Sequence, residues 1–151
     1  MSEKSTQAAE TFRCGFNCSQ AVLSVFAEDF GLTKDSCLRL ASPFGSGIAR
    51  MQETCGAITG ALMAIGLKYG KGADGTEADK AHAYQLAQQL IARFKEQNKS
   101  ICCRELLDGL DINTPEDMAE IQKRQLFQNN CSKYVQEAVL ITEAILSQRS
   151  E

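Results

Sequence analysis

Seven of the 151 residues are cysteine, and four of them share a local pattern that bears on thiol chemistry. Cys18 follows Asn17, Cys55 follows Thr54, Cys131 follows Asn130, and Cys103 lies three residues after Ser100. Each is preceded by a residue able to cap a helix, so the spacing predicts each thiol in the first turn of a helix. Unpaired N–H groups and the helix dipole favour negative charge there, and the thiolate is both nucleophile and metal ligand. A bundle that gathers four such helix ends would hold four thiols for redox exchange or for a metal cluster. The four are too far apart in sequence for a Cys-x-x-Cys pair or a zinc-finger ladder. Free cysteine also packs as a small apolar residue, so a core without chemistry accommodates the same pattern.

The other candidates are weaker. Gly15 separates Cys14 from Cys18, Cys102 would point away from Cys103, and Cys37 fits ordinary packing on a short helix. Any of these three could supply a resolving thiol. His82, the only histidine, lies between Ala81 and Ala83 on a long helix and reads as a solvent-edge residue. Arg104 reads as one half of a surface ion pair, with a hold on a nearby thiolate as the sharper alternative. The glycines of Pro43-Phe44-Gly45-Ser46-Gly47 match no phosphate-binding fingerprint and indicate a turn.

The elements that must position the cysteines are helical. Apolar residues recur at helical spacing, only two prolines occur, and no strand alternation emerges. A first helix is expected over Thr6 to Arg13. A second follows the Asn17/Gln20 capping box, carries Cys18, Val22, Phe26 and Phe30, and stops at Gly31. A third starts at Thr33 or Asp35. The Cys55 helix carries Gly56, Gly60 and Ala64 four residues apart, a strip along which another element can approach closely. That element could come from the same chain or from a second copy, so a homodimer is compatible with it. A long helix to about Gln97, one behind Ser100, one opened by Thr114-Pro115 and one behind Asn130 complete the set. The expectation is a single all-α domain over 1–151, a compact bundle of about six or seven helices.

Bulk properties narrow the setting. Sixteen basic against nineteen acidic residues give a net charge of −3, which offers no nucleic-acid surface. The apolar stretch from Ala57 to Leu67 is too short to span a bilayer, and the first residues lack the apolar core of a signal peptide. The odd cysteine count argues against a disulfide framework. These features indicate a cytoplasmic protein without membrane insertion.

The motifs resemble a known family. Gly15-Phe16-Asn17-Cys18-Ser19-Gln20-Ala21-Val22, Cys55-Gly56-Ala57-Ile58-Thr59-Gly60-Ala61-Leu62-Met63, Cys103-Arg104-Glu105-Leu106-Leu107 and Cys131 are similar to the bacterial and archaeal redox proteins named for a C_GCAxxG_C_C signature. The family's short name places glycine before cysteine, whereas here Thr54 precedes Cys55 and glycine follows it. The resemblance implies that Cys18, Cys55, Cys103 and Cys131 are its four hallmark cysteines. A weaker likeness, to a part of the split-Soret cytochromes, implies electron transfer and an iron centre.

Three readings follow. A thiol-based oxidoreductase would use Cys55 as nucleophile and Cys18 or Cys103 as resolving thiol, with an unidentified redox partner. An iron–sulfur or other metal centre would take Cys18, Cys55, Cys103 and Cys131 as ligands. A non-enzymatic interaction module would merely pack its cysteines.

Overall fold

The computed structural model describes residues 1–148, and among these the chain forms eight α-helices and no strand. They are α1 (Glu3–Arg13), α2 (Cys18–Ser24), α3 (Lys34–Ala41), α4 (Gly56–Tyr69), α5 (Glu77–Asn98), α6 (Cys103–Leu106), α7 (Pro115–Arg124) and α8 (Ser132–Leu146). The number slightly exceeds the expected six or seven, although each helix falls on a segment that the sequence marks as helical.

Local chemistry explains most boundaries. The Asn17 side chain accepts from the Gln20 N–H at 2.9 Å, and the Gln20 side chain accepts from the Asn17 N–H at 3.0 Å. This reciprocal box starts α2 where the sequence indicates. Thr33 caps α3, and Thr114 caps α7 with Pro115 in its first turn. Helix α1 begins at Glu3 rather than Thr6, because Ser2 and Ser5 form a capping box of their own. Helix α2 ends at Ser24 rather than running to Gly31. The chain then passes through a short 3₁₀ turn, Glu28–Phe30, before Gly31 takes a left-handed conformation at φ 69°.

Helix α4 is the axis of the molecule, with α2, α5 and α8 packed around it. Its residues are buried on nearly every side, from Gly56 through Ala61 to Ala64 and Ile65. A helix apolar all round belongs inside a bundle. Phe26, Leu90, Phe94, Val135 and Val139 fill the space around it. The Gly56/Gly60/Ala64 strip is covered from within the chain. A Cβ on Gly60 would stand 2.6 Å from the Ser19 carbonyl oxygen, and one on Gly56 2.9 Å from the Ser19 nitrogen. Glycine is required at both positions because α2 lies directly on α4.

A second, smaller core gathers Leu107, Ile112, Ile121 and Leu126 beneath α7. The 42–53 loop joins it to the main bundle. This loop is more than the turn expected from its glycines. Ser46, Gly47, Ile48, Ala49 and Arg50 all have positive φ, between 51° and 69°, as does Gln52 at 55°. Left-handed backbone costs roughly 1–2 kcal/mol per non-glycine residue, so neighbouring contacts must hold it. The Ala49 N–H donates to the Pro43 carbonyl at 2.8 Å, and the Glu53 N–H to the Gly47 carbonyl at 2.8 Å. The buried Gln52 amide donates to the Leu110 carbonyl at 2.9 Å and accepts from the Ile112 N–H at 3.0 Å.

Candidate functional site

Cys18, Cys55, Cys103 and Cys131 all line one cavity of about 380 Å³. It lies at the seam between the two cores. Cys18 and Cys55 pack with the main bundle, whereas Cys103 and Cys131 pack against the smaller core. All seven cysteines are free thiols.

The supporting elements differ from expectation at three of the four positions. Cys18 is the first residue of α2 behind its Asn17 cap, as predicted. Cys55 is itself the N-cap residue of α4, and Thr54 does not cap the helix. Thr54 instead pairs in extended conformation with Cys102, in an isolated antiparallel bridge. Here the Cys55 N–H donates to the Ile101 carbonyl at 2.7 Å, and the Cys103 N–H to the Glu53 carbonyl at 2.6 Å. These bonds tie Cys55 and Cys103 into one rigid unit. Cys103 opens α6 behind Cys102, while Ser100 accepts from the Cys102 N–H at 2.9 Å instead of capping the helix. Cys131 closes a π-helical turn, Phe127–Cys131, that runs without a break into α8. Asn130 is therefore inside a helical segment and does not cap it.

The electrostatics also reverse one expectation. Burial pushes the Cys55 thiol up to about 12, and the Ala57 and Ile58 N–H groups, which favour the thiolate, do not offset it. Burial likewise pushes Cys103 up to about 12, with the neighbouring Cys55 and Cys131 adding to the effect. The Cys18 thiol is raised well above its ordinary value, chiefly because it hydrogen-bonds Cys131, then by burial. The helix end at Cys55 does not produce the low-pKa thiol that its sequence position suggests.

These shifts make stability sensitive to alkali. An unfolded cysteine ionises near 8.5, so between there and about 12 the folded state holds more protons. Stability contributed by Cys55 and Cys103 is complete below about pH 8.5 and is lost as pH rises towards 12. The slope approaches about 1.4 kcal/mol per pH unit for Cys55, and less for the partly exposed Cys103. The urea midpoint of the reduced protein should therefore fall steeply above about pH 9, and less steeply in Cys55→Ala. A midpoint unchanged between about pH 9 and 11 would contradict the raised values.

The remaining sequence candidates are dispersed. Cys37 is buried in the main core, Cys14 is exposed, and His82 is exposed on α5. Cys102 donates to the Gln52 carbonyl at 3.5 Å and lies close enough to Cys55 and Cys103 to raise both pKa values. Arg104 donates to the Gly109 carbonyl at 3.1 Å and approaches Asp111 at 4.0 Å, a surface arrangement as expected. Sequence reasoning missed Arg13, Arg50, Ser132 and Tyr134, which also line the cavity. Tyr134 donates to the Leu106 carbonyl at 3.1 Å. Its place three residues after Cys131 on a helical face was the one available signal. Gly47 was missed as a packing residue: a Cβ there would meet the Cys103 Cβ at 2.7 Å. Among the described residues, no three His, Cys, Asp or Glu side chains are grouped so as to hold a single metal ion. No described helix is long and apolar enough to cross a membrane.

An all-helical fold that brings distant cysteines onto one cavity defines a cysteine-rich helical protein. The chain belongs to the C_GCAxxG_C_C family, described as "Putative redox-active protein (C_GCAxxG_C_C)", which matches residues 16–145. That span includes all four cavity cysteines. No curated protein and no solved structure matches the chain.

Proposed function

We propose that this chain is a redox protein whose working centre is the four-cysteine cavity, acting as a thiol–disulfide couple. The observation that supports it is convergence: Cys18, Cys55, Cys103 and Cys131, on separate elements, open onto the same space. Within it Cys131 is the neighbour that most raises the Cys18 thiol, and we take these two sulfurs as the exchanging pair. One sulfur of this pair attacks and the other resolves. Cys55, whose thiol resists ionisation, is not the first nucleophile in this scheme. The attacking thiolate opens a disulfide of the partner, giving a mixed disulfide and releasing one partner thiol. The resolving sulfur then displaces the second partner thiol, losing its proton. The protein dithiol becomes a disulfide, and the partner disulfide is reduced to two thiols.

A second reading rests on the crowding of the four thiols. Burial and mutual repulsion resist ionisation of Cys18, Cys55 and Cys103, and a bound cationic centre would reverse both effects. The donor set suits a Cys₄ iron–sulfur cluster better than a single ion, since no single-ion grouping is formed. Cys18, Cys55, Cys103 and Cys131 would be the ligands.

Protein purified without oxygen separates the readings by absorption, metal analysis and thiol titration across a range of redox potentials. The thiol–disulfide reading expects colourless protein and reversible loss of one thiol pair, abolished by Cys18→Ser and by Cys131→Ser. Visible charge-transfer bands with stoichiometric iron, lost in Cys55→Ala, would replace it with the cluster. Thiols that stay inert across all potentials, with neither colour nor metal, would leave only a packing role.

A further inference from the structure

The walls of the cavity carry an uneven set of charges. Its ionisable side chains other than the cysteines and Tyr134 are Arg13 and Arg50, with no aspartate or glutamate among them. In a chain of net charge −3, a cavity bordered only by cations is not what composition alone would supply. Arg13 shares its charge with Glu10 at 3.0 Å. Arg50 has no carboxylate partner among the described residues. Its Nη2 donates to the Ile112 carbonyl at 3.0 Å and its Nε to Asn113 Oδ1 at 3.3 Å. Two neutral oxygens thus fix the guanidinium in place, leaving its other donors and its full charge available. The strained left-handed run that ends at Arg50 is what brings this side chain to the cavity. The Ser132 hydroxyl, also at the cavity, is buried and has no hydrogen-bond partner among the described residues. A buried hydroxyl without a partner is destabilising, and a ligand acceptor would relieve it. Phe12, Phe16, Leu107 and Phe127 provide apolar walls. A cavity of about 380 Å³ is at the small end of the range used for small-molecule ligands.

We propose that the cavity binds a small carboxylate-bearing disulfide, with Arg50 holding its carboxylate at the mouth and its S–S bond reaching the Cys18–Cys131 pair. The proposal rests on the thiol–disulfide reading above and names its substrate class. The reaction is the one already balanced: the bound disulfide accepts two electrons and leaves as two thiols, and Cys18 and Cys131 become joined. Arg50 is a binding residue that discriminates by charge, since a bidentate guanidinium–carboxylate contact gives both energy and orientation.

The test compares three small disulfides that differ in charge: dithiodipropionate, bis(hydroxyethyl) disulfide and cystamine. Formation of the protein disulfide is followed by intact mass, and each rate is divided by the same reagent's rate with a free model thiol. Dithiodipropionate should exceed the neutral reagent by about 10-fold, the scale of one charge-assisted hydrogen bond, with cystamine slowest. Arg50→Gln should erase the preference, and Arg50→Lys should restore part of it. Suberate, a dicarboxylate of matching length without a disulfide, gives a binding measurement independent of the chemistry. Equal normalised rates for the three reagents in wild-type protein would overturn the proposal, as would a preference untouched by Arg50→Gln. Suberate binding that depends on Arg50, with no reaction by any disulfide, would keep the anion site and overturn the thiol–disulfide reading. Should Arg50→Gln fail to fold, the wild-type charge series and Arg50→Lys still decide the matter.

Discussion

Oxidation of the Cys18–Cys131 pair should raise the melting temperature by roughly 10 °C. The reason lies in where the two residues sit. Cys18 packs with the main bundle, whereas Cys131 packs against the smaller core beneath α7. A bond between them would close a loop on the order of 100 residues and staple one core to the other. Constraining an unfolded chain over such a loop is worth at most about 4.7 kcal/mol, and native strain commonly reduces it to about 2–4 kcal/mol. For a chain of this size each kcal/mol moves Tm by about 2–4 °C. Calorimetry of the oxidised and reduced forms should show the shift, and Cys18→Ser should remove it. Protein whose mass confirms a Cys18–Cys131 bond but whose Tm does not rise would mean that the bond strains the fold. A rise that survives Cys18→Ser would place the disulfide elsewhere.

The same two-core arrangement explains how far the sequence could be read. Signals confined to a few residues held: the Asn17/Gln20 box, the Thr33 cap and Thr114-Pro115 all begin helices where their chemistry indicates. Misassignments arose where a distant partner competes for the same residue. Thr54 has the side chain of a cap, yet its backbone is taken up by the pairing with Cys102, forty-eight positions along the chain. Asn130 is another cap residue by type, but the preceding π-helical turn already supplies helical backbone, leaving no helix end to cap. The left-handed run at Ser46–Arg50 carries little local signal, because Ile48 and Ala49 are unfavourable residues for positive φ. Contacts through Gln52 and Gly47 compensate, and those exist only once the second core has formed. Four cysteines could therefore be selected from local pattern and resemblance. Their shared cavity, its arginines and the raised Cys55 and Cys103 pKa values are products of tertiary burial.

Two glycines about 9 Å apart along the same helix should respond to one mutation in opposite directions. Both Gly60 and Gly66 lie within α4. At Gly66 an added Cβ meets nothing within 4 Å, so Gly66→Ala should gain up to about 1 kcal/mol of helix propensity and raise Tm by about 2–4 °C. At Gly60 the added carbon would stand 2.6 Å from the Ser19 carbonyl oxygen and 3.1 Å from the Val22 Cβ. The first obstacle is backbone, so no rotamer change clears it, and α2 must move away from α4. Overpacking of this kind costs typically about 1–3 kcal/mol and more for larger groups, which exceeds the propensity gain. Gly60→Val should lower Tm by about 10 °C or prevent folding, with Gly60→Ala intermediate. The consequence reaches the site, because Cys18 begins α2 and its Cβ lies only 3.0 Å from where a Cβ on Gly56 would be. Displacing α2 carries Cys18 away from Cys55 and from Cys131. In folded Gly60→Ala protein, the rate of Cys18–Cys131 disulfide formation should therefore fall while Gly66→Ala leaves it unchanged. Equal stability changes in the two alanine variants would show that α2 does not depend on the glycine strip. A stability loss without a change in disulfide rate would show that the cysteine pair is positioned by some other contact than the α2–α4 packing.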